Sequence, residues 1–259
     1  MKAGLNLYSI RKSIATEEDF LATAHKLREM GYSYLQFSGA PFDAEMIRRV
    51  SEETELPVYL THVPRDRILG DADKLMEEHD IFGCKNIGLG MMPREVIYDE
   101  KACKEMIEQL DKVGEKMRKN GFKFFYHHHH FEFYKHNGET VFDYMLKNTS
   151  NINFTIDTYW LQYGGVSVVE YLEKTKGRIE CVHLKDYKII HSVNEETNEH
   201  KYEPKYCPVG DGTINFKAAV EAAKASGAKY FFVEQDNATS MPDPFGEVER
   251  SIKYIQKEL

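Results

Sequence analysis

No stretch of the 259-residue chain approaches the roughly 20 consecutive apolar residues that cross a bilayer, and its start lacks the charged-then-apolar pattern of an export signal. Cysteine is scarce. Cys84, Cys103, Cys181 and Cys207 are far apart and form no C-x-x-C pair, which argues against a disulfide framework and for reduced thiols in a cytoplasmic protein. Positive charge is short as well: 34 Lys and Arg face 42 Asp and Glu, for a formal net charge of -8. A protein whose main partner is nucleic acid usually carries a basic face, so that partner is not expected. No Gly/Ser/Pro-rich linker divides the sequence, and no G-x-G-x-x-G follows the first predicted strand, which removes the dinucleotide fingerprint. A single domain over 1–259, soluble and without a membrane partner, is the expectation, with 42% hydrophobic residues ample for a sizeable core.

The densest chemistry is Phe124-Phe125-Tyr126-His127-His128-His129-His130-Phe131-Glu132-Phe133. The aromatic run predicts a buried strand, and the histidines and Glu132 follow where that strand leaves the core. Side chains alternate along a strand, so His127 and His129 point one way and His128 and His130 the other. An internal run is not an expression tag. Around it, strand-like and helix-like segments alternate to the end of the chain. Strands are predicted over 3–8, 32–37, 57–61, 86–89, the histidine stretch, 152–156, 180–184 and 230–233. Helices are predicted from Thr16 to Gly31 and over 43–53, 71–79, 101–119, 140–146, 167–174, 216–225 and 244–257. Eight such units in this length predict a (β/α)8 TIM barrel, an α/β fold. A doubly wound sheet is the alternative, but the polar clusters fall at many strand ends instead of one switch point. Residues 187–212 break the rhythm without a helix pattern, as a lid over the substrate or a solvated hairpin.

In a barrel the residues just past each strand converge on one rim. They are His62 after the third strand, His127, His129 and Glu132 on the fifth, Asp157 on the sixth, His183, Lys185 and Asp186 on the seventh, and Glu234, Gln235 and Asp236 on the eighth. Glu132, Asp157, His183 and Glu234 make a mixed oxygen/nitrogen set without thiolate, suited to Mn²⁺ first, or to Zn²⁺, Co²⁺ or Mg²⁺. Each residue alone has a structural alternative: Asp157 caps a turn, His183 is a satisfied core histidine, Glu234 pairs with Lys185.

Six segments taken together resemble the sugar phosphate isomerase/epimerase family of xylose-isomerase-like TIM barrels. They are Gly4-Leu5-Asn6-Leu7-Tyr8-Ser9, Tyr126-His127-His128-His129-His130-Phe131-Glu132-Phe133, Asp157-Thr158-Tyr159-Trp160, His183-Leu184-Lys185-Asp186, Val209-Gly210-Asp211-Gly212 and Val233-Glu234-Gln235-Asp236. The resemblance implies a divalent metal held by a Glu-Asp-His-Glu set mapping onto Glu132, Asp157, His183 and Glu234. Several relatives place the first glutamate earlier on this strand, near Tyr126 or His127, which leaves a histidine as the alternative first ligand. His128 and His130 depart from the small polar residues that similar sequences carry.

The implied reaction is metal-dependent isomerisation or epimerisation of a sugar or cyclitol through an enediolate, with elimination by a lyase or dehydratase as the alternative. Glu132, Glu234 and His129 are the acid/base candidates. His62, His127 and Lys185 are candidates to bind substrate oxygens, and Trp160 to pack on a sugar face or fill the core. An apurinic endonuclease and a silent sugar-binding barrel are the rivals from other classes. The sequence leaves homo-oligomerisation and substrate phosphorylation open.

Overall fold

The computed structural model describes residues 1–259 and shows a closed eight-stranded parallel barrel ringed by helices. The strands are β1 (Gly4–Asn6), β2 (Tyr34–Phe37), β3 (Val58–His62), β4 (Asn86–Leu89), β5 (Lys123–His127), β6 (Ile152–Asp157), β7 (Ile179–Leu184) and β8 (Tyr230–Val233). Each hydrogen-bonds to its sequence neighbours, and β8 closes on β1 through Leu5 and Val233. The predicted helices form with small changes at their ends. The Thr16 hydroxyl accepts from the Asp19 amide at 3.1 Å to start the helix Glu17–Met30, and Gly31, at φ 100°, ends it in the left-handed region. No helix is long and apolar enough to cross a membrane.

The strand period of two builds the barrel interior in layers. Tyr34, Leu60, Phe125, Cys181 and Phe232 form a buried apolar plug inside the barrel, separate from the large core beneath the helices. Two residues further along the same strands come Gln36, His62, His127, His183 and Glu234, so a polar layer lies directly on the plug. Register keeps that layer level: Asp157 pairs with His183 and Leu184 with Val233. Gly4 makes room for the plug, because a Cβ there would lie 2.3 Å from the Tyr34 ring and 2.7 Å from the Tyr34 carbonyl.

Segment 187–212 is a solvated hairpin, so the lid alternative is not what forms. Asp186–Val193 pairs antiparallel with His200–Cys207, and most of both strands is exposed. Only its base packs on the barrel, where Tyr187 and Tyr206 meet Tyr159. Four short helices at Leu7–Ser13, Arg65–Gly70, Arg94–Tyr98 and Thr158–Tyr163 were not anticipated, being too brief to show a helical period.

Gly4→Ala is expected to destabilise the fold by about 1–3 kcal/mol, because the new methyl drives the Tyr34 ring into a packed plug. Chemical denaturation measures it, and unchanged stability would contradict the layered interior.

Candidate active site

Atoms of four side chains from four strand ends come together in the polar layer. Ligand atoms of His127, Asp157, His183 and Glu234 all lie within 4.8 Å of one another, and all four residues are buried. His183 Nδ1 approaches Glu234 Oε2 at 2.5 Å and Asp157 Oδ2 at 3.8 Å, while His127 Nε2 lies 3.4 Å from Asp157 Oδ2. Asp157, His183 and Glu234 thus meet as expected, but the fourth member is His127 and not Glu132. Strand β5 ends at His127, and the chain then turns into a short 3-10 helix, Phe131–Phe133, that carries Glu132 away. The Glu132 carboxylate is instead held by the Tyr126 hydroxyl at 2.5 Å and the His129 amide at 2.8 Å.

Second partners aim the donor atoms. His127 Nδ1 donates to the Gly90 carbonyl at 3.1 Å, leaving Nε2 with its lone pair toward Asp157. His183 Nε2 donates to Gln36 Oε1 at 2.7 Å, which turns Nδ1 inward. The Gln36 amide nitrogen in turn meets His62 Nε2 at 3.1 Å. Asp157 Oδ1 accepts from the Trp160 amide at 3.0 Å, so this residue caps a helix and still offers Oδ2 to the group. Gln36 was missed in the sequence; the signal was its position two residues past Tyr34 on an inward-facing strand.

Charge is arranged around two cationic side chains, Lys185 and His183. Lys185 is fully buried, with Nζ 2.7 Å from Asp236, 3.8 Å from Asp157 and 3.9 Å from Glu234. Burial opposes its charge, but these carboxylates outweigh burial and hold its pKa above the usual lysine range. Its ammonium also lies over the Trp160 and Tyr206 rings, at 4.9 and 5.0 Å. Burial likewise opposes charge on His183, yet Glu234 and Asp157 lift it to about 9. Glu234 stays well below its ordinary value because Lys185 and His183 overcome its own desolvation. Burial, helped by neighbouring cationic groups, holds His62 and His129 down at about 3, so both rings are neutral.

The group opens on a cavity of about 300 Å³ lined by Asn6, Tyr8, Ser38, His62, His129 and Asp236 among others, together with His127, Lys185 and Glu234. His127 and His129 both face it, although the strand itself ends at His127. His128 turns the other way, packs on Phe133 and Phe142, and accepts from the Asp157 amide at 3.0 Å. Trp160 is not among the lining residues; it packs against His129, His130 and Tyr206 behind the wall. A larger groove of about 730 Å³ lies along Glu100–Asn148 on the outside, among solvated pairs such as Lys104–Glu100, and gathers no buried donor group.

The model of the xylose isomerase-like TIM barrel family matches residues 24–258. The chain belongs to that family. It is 24% identical over 99% of its length to an inosose dehydratase of Clostridium perfringens (strain 13 / Type A), covering 86% of that protein. It is 27% identical over 64% of its length to an inosose dehydratase of Geobacillus thermodenitrificans (strain NG80-2), and that match spans 58% of the relative. The fold is shared with the crystal structure of a sugar phosphate isomerase/epimerase from Parabacteroides distasonis ATCC 8503, at a TM-score of 0.81, 22% identity and coverage of 99% and 94% of the two chains.

A divalent cation fits the donor set. His183 Nδ1 and Glu234 Oε2 are both buried and face each other at 2.5 Å, with no other hydrogen-bond partner for either atom. Two carboxylates and two imidazoles, once His183 gives up its Nδ1 proton, are hard-to-borderline ligands, which suit Mn²⁺, Zn²⁺, Co²⁺ or Mg²⁺.

Titrating Mn²⁺ into chelator-treated protein is expected to raise thermal stability by about 2–3 kcal/mol near a hundredfold excess over Kd. It should also release about one proton, because the cation displaces the one on His183. Calorimetry in buffers of different ionisation enthalpy reads both, and no proton release would contradict the assigned ligand. Glu132 gives a separate pH signature. Burial pushes its carboxyl up to about 7, against bonds from Tyr126 and the His129 amide. The folded state therefore holds this proton more tightly than the unfolded chain, whose carboxyl has its ordinary value of 4.5. That contribution is full below about 4.5, fades toward 7 and is gone above it. Glu132→Gln should gain stability relative to the native chain as pH rises from about 5 to 8, and parallel pH profiles would refute this.

Proposed function

We propose that the cavity binds a sugar-derived or cyclitol ketone, removes the proton beside its carbonyl, and eliminates a β-oxygen substituent as a dehydratase or lyase. The observation that carries this reading is the position of Glu234, the one carboxylate that both belongs to the buried donor group and lines the cavity. A divalent cation, when bound, would supply the positive charge that acidifies the carbon next to the ketone. Glu234, kept ionised by Lys185, accepts the proton from that carbon. The C–O bond to the β-substituent then breaks, and the proton held by Glu234 passes to the departing oxygen, so water or an alcohol leaves and both protons and electrons balance. Lys185, fixed by Asp236, presents its charge to substrate oxygens from the same side. Neutral His129, whose Nδ1 has no partner, offers a second contact to them.

Elimination needs one proton carrier, whereas epimerisation needs one on each face of the carbon. The β5 position that would supply a second carboxylate carries His127, whose Nδ1 is committed to Gly90, and Asp236 is committed to Lys185. The near-full-length similarity to an inosose dehydratase supports the same outcome. Isomerisation or epimerisation is the second reading, favoured by the unpartnered His129 nitrogen as a second proton carrier. The small-molecule substrate and a cytoplasmic setting belong to the proposal as well, and Mn²⁺ is its first metal.

Incubating inososes and keto-sugars with the Mn²⁺-loaded protein in D₂O tests the choice. The expected result is formation of the dehydrated ketone, with the rate falling about 10²–10⁴-fold in Glu234→Gln. An epimer formed without elimination would establish the second reading, and no exchange at the α-carbon across the panel would sink both.

A further inference from the structure

We infer that the cavity takes an uncharged polyhydroxy ketone and turns away its phosphate ester, with the Asn6 amide nitrogen reading one substrate oxygen. This names the substrate class for the site described above and rests on that cavity being the substrate site. Barrel enzymes that hold phosphate commonly do so with backbone amides of the loops after the last strands. Here the loop between β7 and the helix Phe216–Ser226 contains Val209-Gly210-Asp211-Gly212, and its amides already have an anion. The Asp186 carboxylate accepts from Gly210 at 3.0 Å, Gly212 at 2.9 Å, Tyr187 at 2.9 Å and Ile214 at 3.3 Å. A Cβ at Gly212 would lie 2.3 Å from that same carboxylate, so the nest is packed shut around it.

The cavity wall offers a phosphate no other spare cation. Lys185 is the only lysine or arginine among the lining residues, and Asp236 holds it at 2.7 Å. Arg11 donates to the Tyr8 and Asp236 carbonyls at 2.8 and 3.0 Å and is not among the residues that line the cavity. Arg94 lies over the Phe131 ring at 5.5 Å and is not among the residues that line the cavity. A divalent cation and Lys185 together carry three positive charges, which the carboxylates of Asp157, Glu234 and Asp236 cancel. A dianionic ester would enter an environment already neutral and pay its desolvation without a partner.

What the wall does offer is a donor for a neutral oxygen. Asn6 is 1% exposed and lines the cavity. Its Oδ1 accepts from the Tyr8 amide at 3.2 Å and from the Ser38 hydroxyl, which fixes which end of the side chain is which. Its Nδ2 is buried with no partner. A buried amide N–H₂ left this way binds an oxygen acceptor at little further desolvation cost and discriminates against a ligand that lacks one.

Binding calorimetry on the Mn²⁺-loaded protein, with D-fructose, D-tagatose and 2-keto-myo-inositol set against D-fructose 6-phosphate and D-tagatose 6-phosphate, tests the inference. At least one neutral ketone should bind, with its phosphate ester or the other esters at least about tenfold weaker. Asn6→Ala should weaken the neutral ligand about tenfold. Asn6→Asp, which keeps both accepted bonds but removes the donor, should weaken it too, so a folding defect in one variant does not decide the outcome. An ester binding as tightly as any neutral ketone, unchanged affinity in both folded variants, or no binding by any neutral member would overturn it. Because binding is read without turnover, a neutral ligand that binds but neither exchanges nor eliminates would leave this inference standing and remove the reaction proposed above.

Discussion

Everything in the rim of this barrel depends on keeping acceptor atoms of like character close together inside a protein. Two carboxylates and two imidazoles occupy one buried region, where the ligand atoms repel unless a positive charge is present. Lys185 supplies part of that charge from a fully buried position, at 3.8–3.9 Å from the two carboxylates of the group and in contact with a third, Asp236. The rest of the construction prevents escape. Gln36, the Gly90 carbonyl and the Trp160 amide each occupy the other end of a donor side chain and hold its reactive atom inward. Removing a buried partner of this sort leaves a buried donor or acceptor unsatisfied, so these unreactive groups are as much a part of the site as the residues they orient.

The polar layer exists because of the apolar one beneath it. Aromatic and aliphatic residues fill the barrel from Tyr34 to Phe232, and the strand period returns the same inward face two residues later. The chemistry is therefore lifted to the C-terminal rim, where loops vary freely over a rigid floor. The hairpin beyond β7 illustrates the division. Its outer strands stand in solvent, while Tyr187 and Tyr206 at its base brace Tyr159 and the wall behind Lys185.

Much of this was legible in the amino-acid sequence. Strands 86–89 and 230–233 and the helix beginnings at Thr16 and Asp43 follow from hydrophobic runs and capping residues, and Asp157, His183 and Glu234 from their places at strand ends. Glu132 misled because alternation is a property of strands, and the strand had already ended at His127; beyond it, loop geometry decides where a side chain goes. Gln36 and Asn6 were overlooked for the opposite reason. Both are neutral amides that look unremarkable in a sequence, and only the inward face of their strands gives them a function. The hairpin lacked the apolar alternation that marks a buried strand, since neither of its faces is covered.

The claim on which the account turns is that one cation sits among His127, Asp157, His183 and Glu234. Anomalous diffraction from crystals grown with Mn²⁺ tests it most directly. The account predicts a single strong peak at bonding distance from His127 Nε2, Asp157 Oδ2, His183 Nδ1 and Glu234 Oε2. A peak bonded to the Glu132 carboxylate, or no peak in the barrel at saturating Mn²⁺, would contradict it.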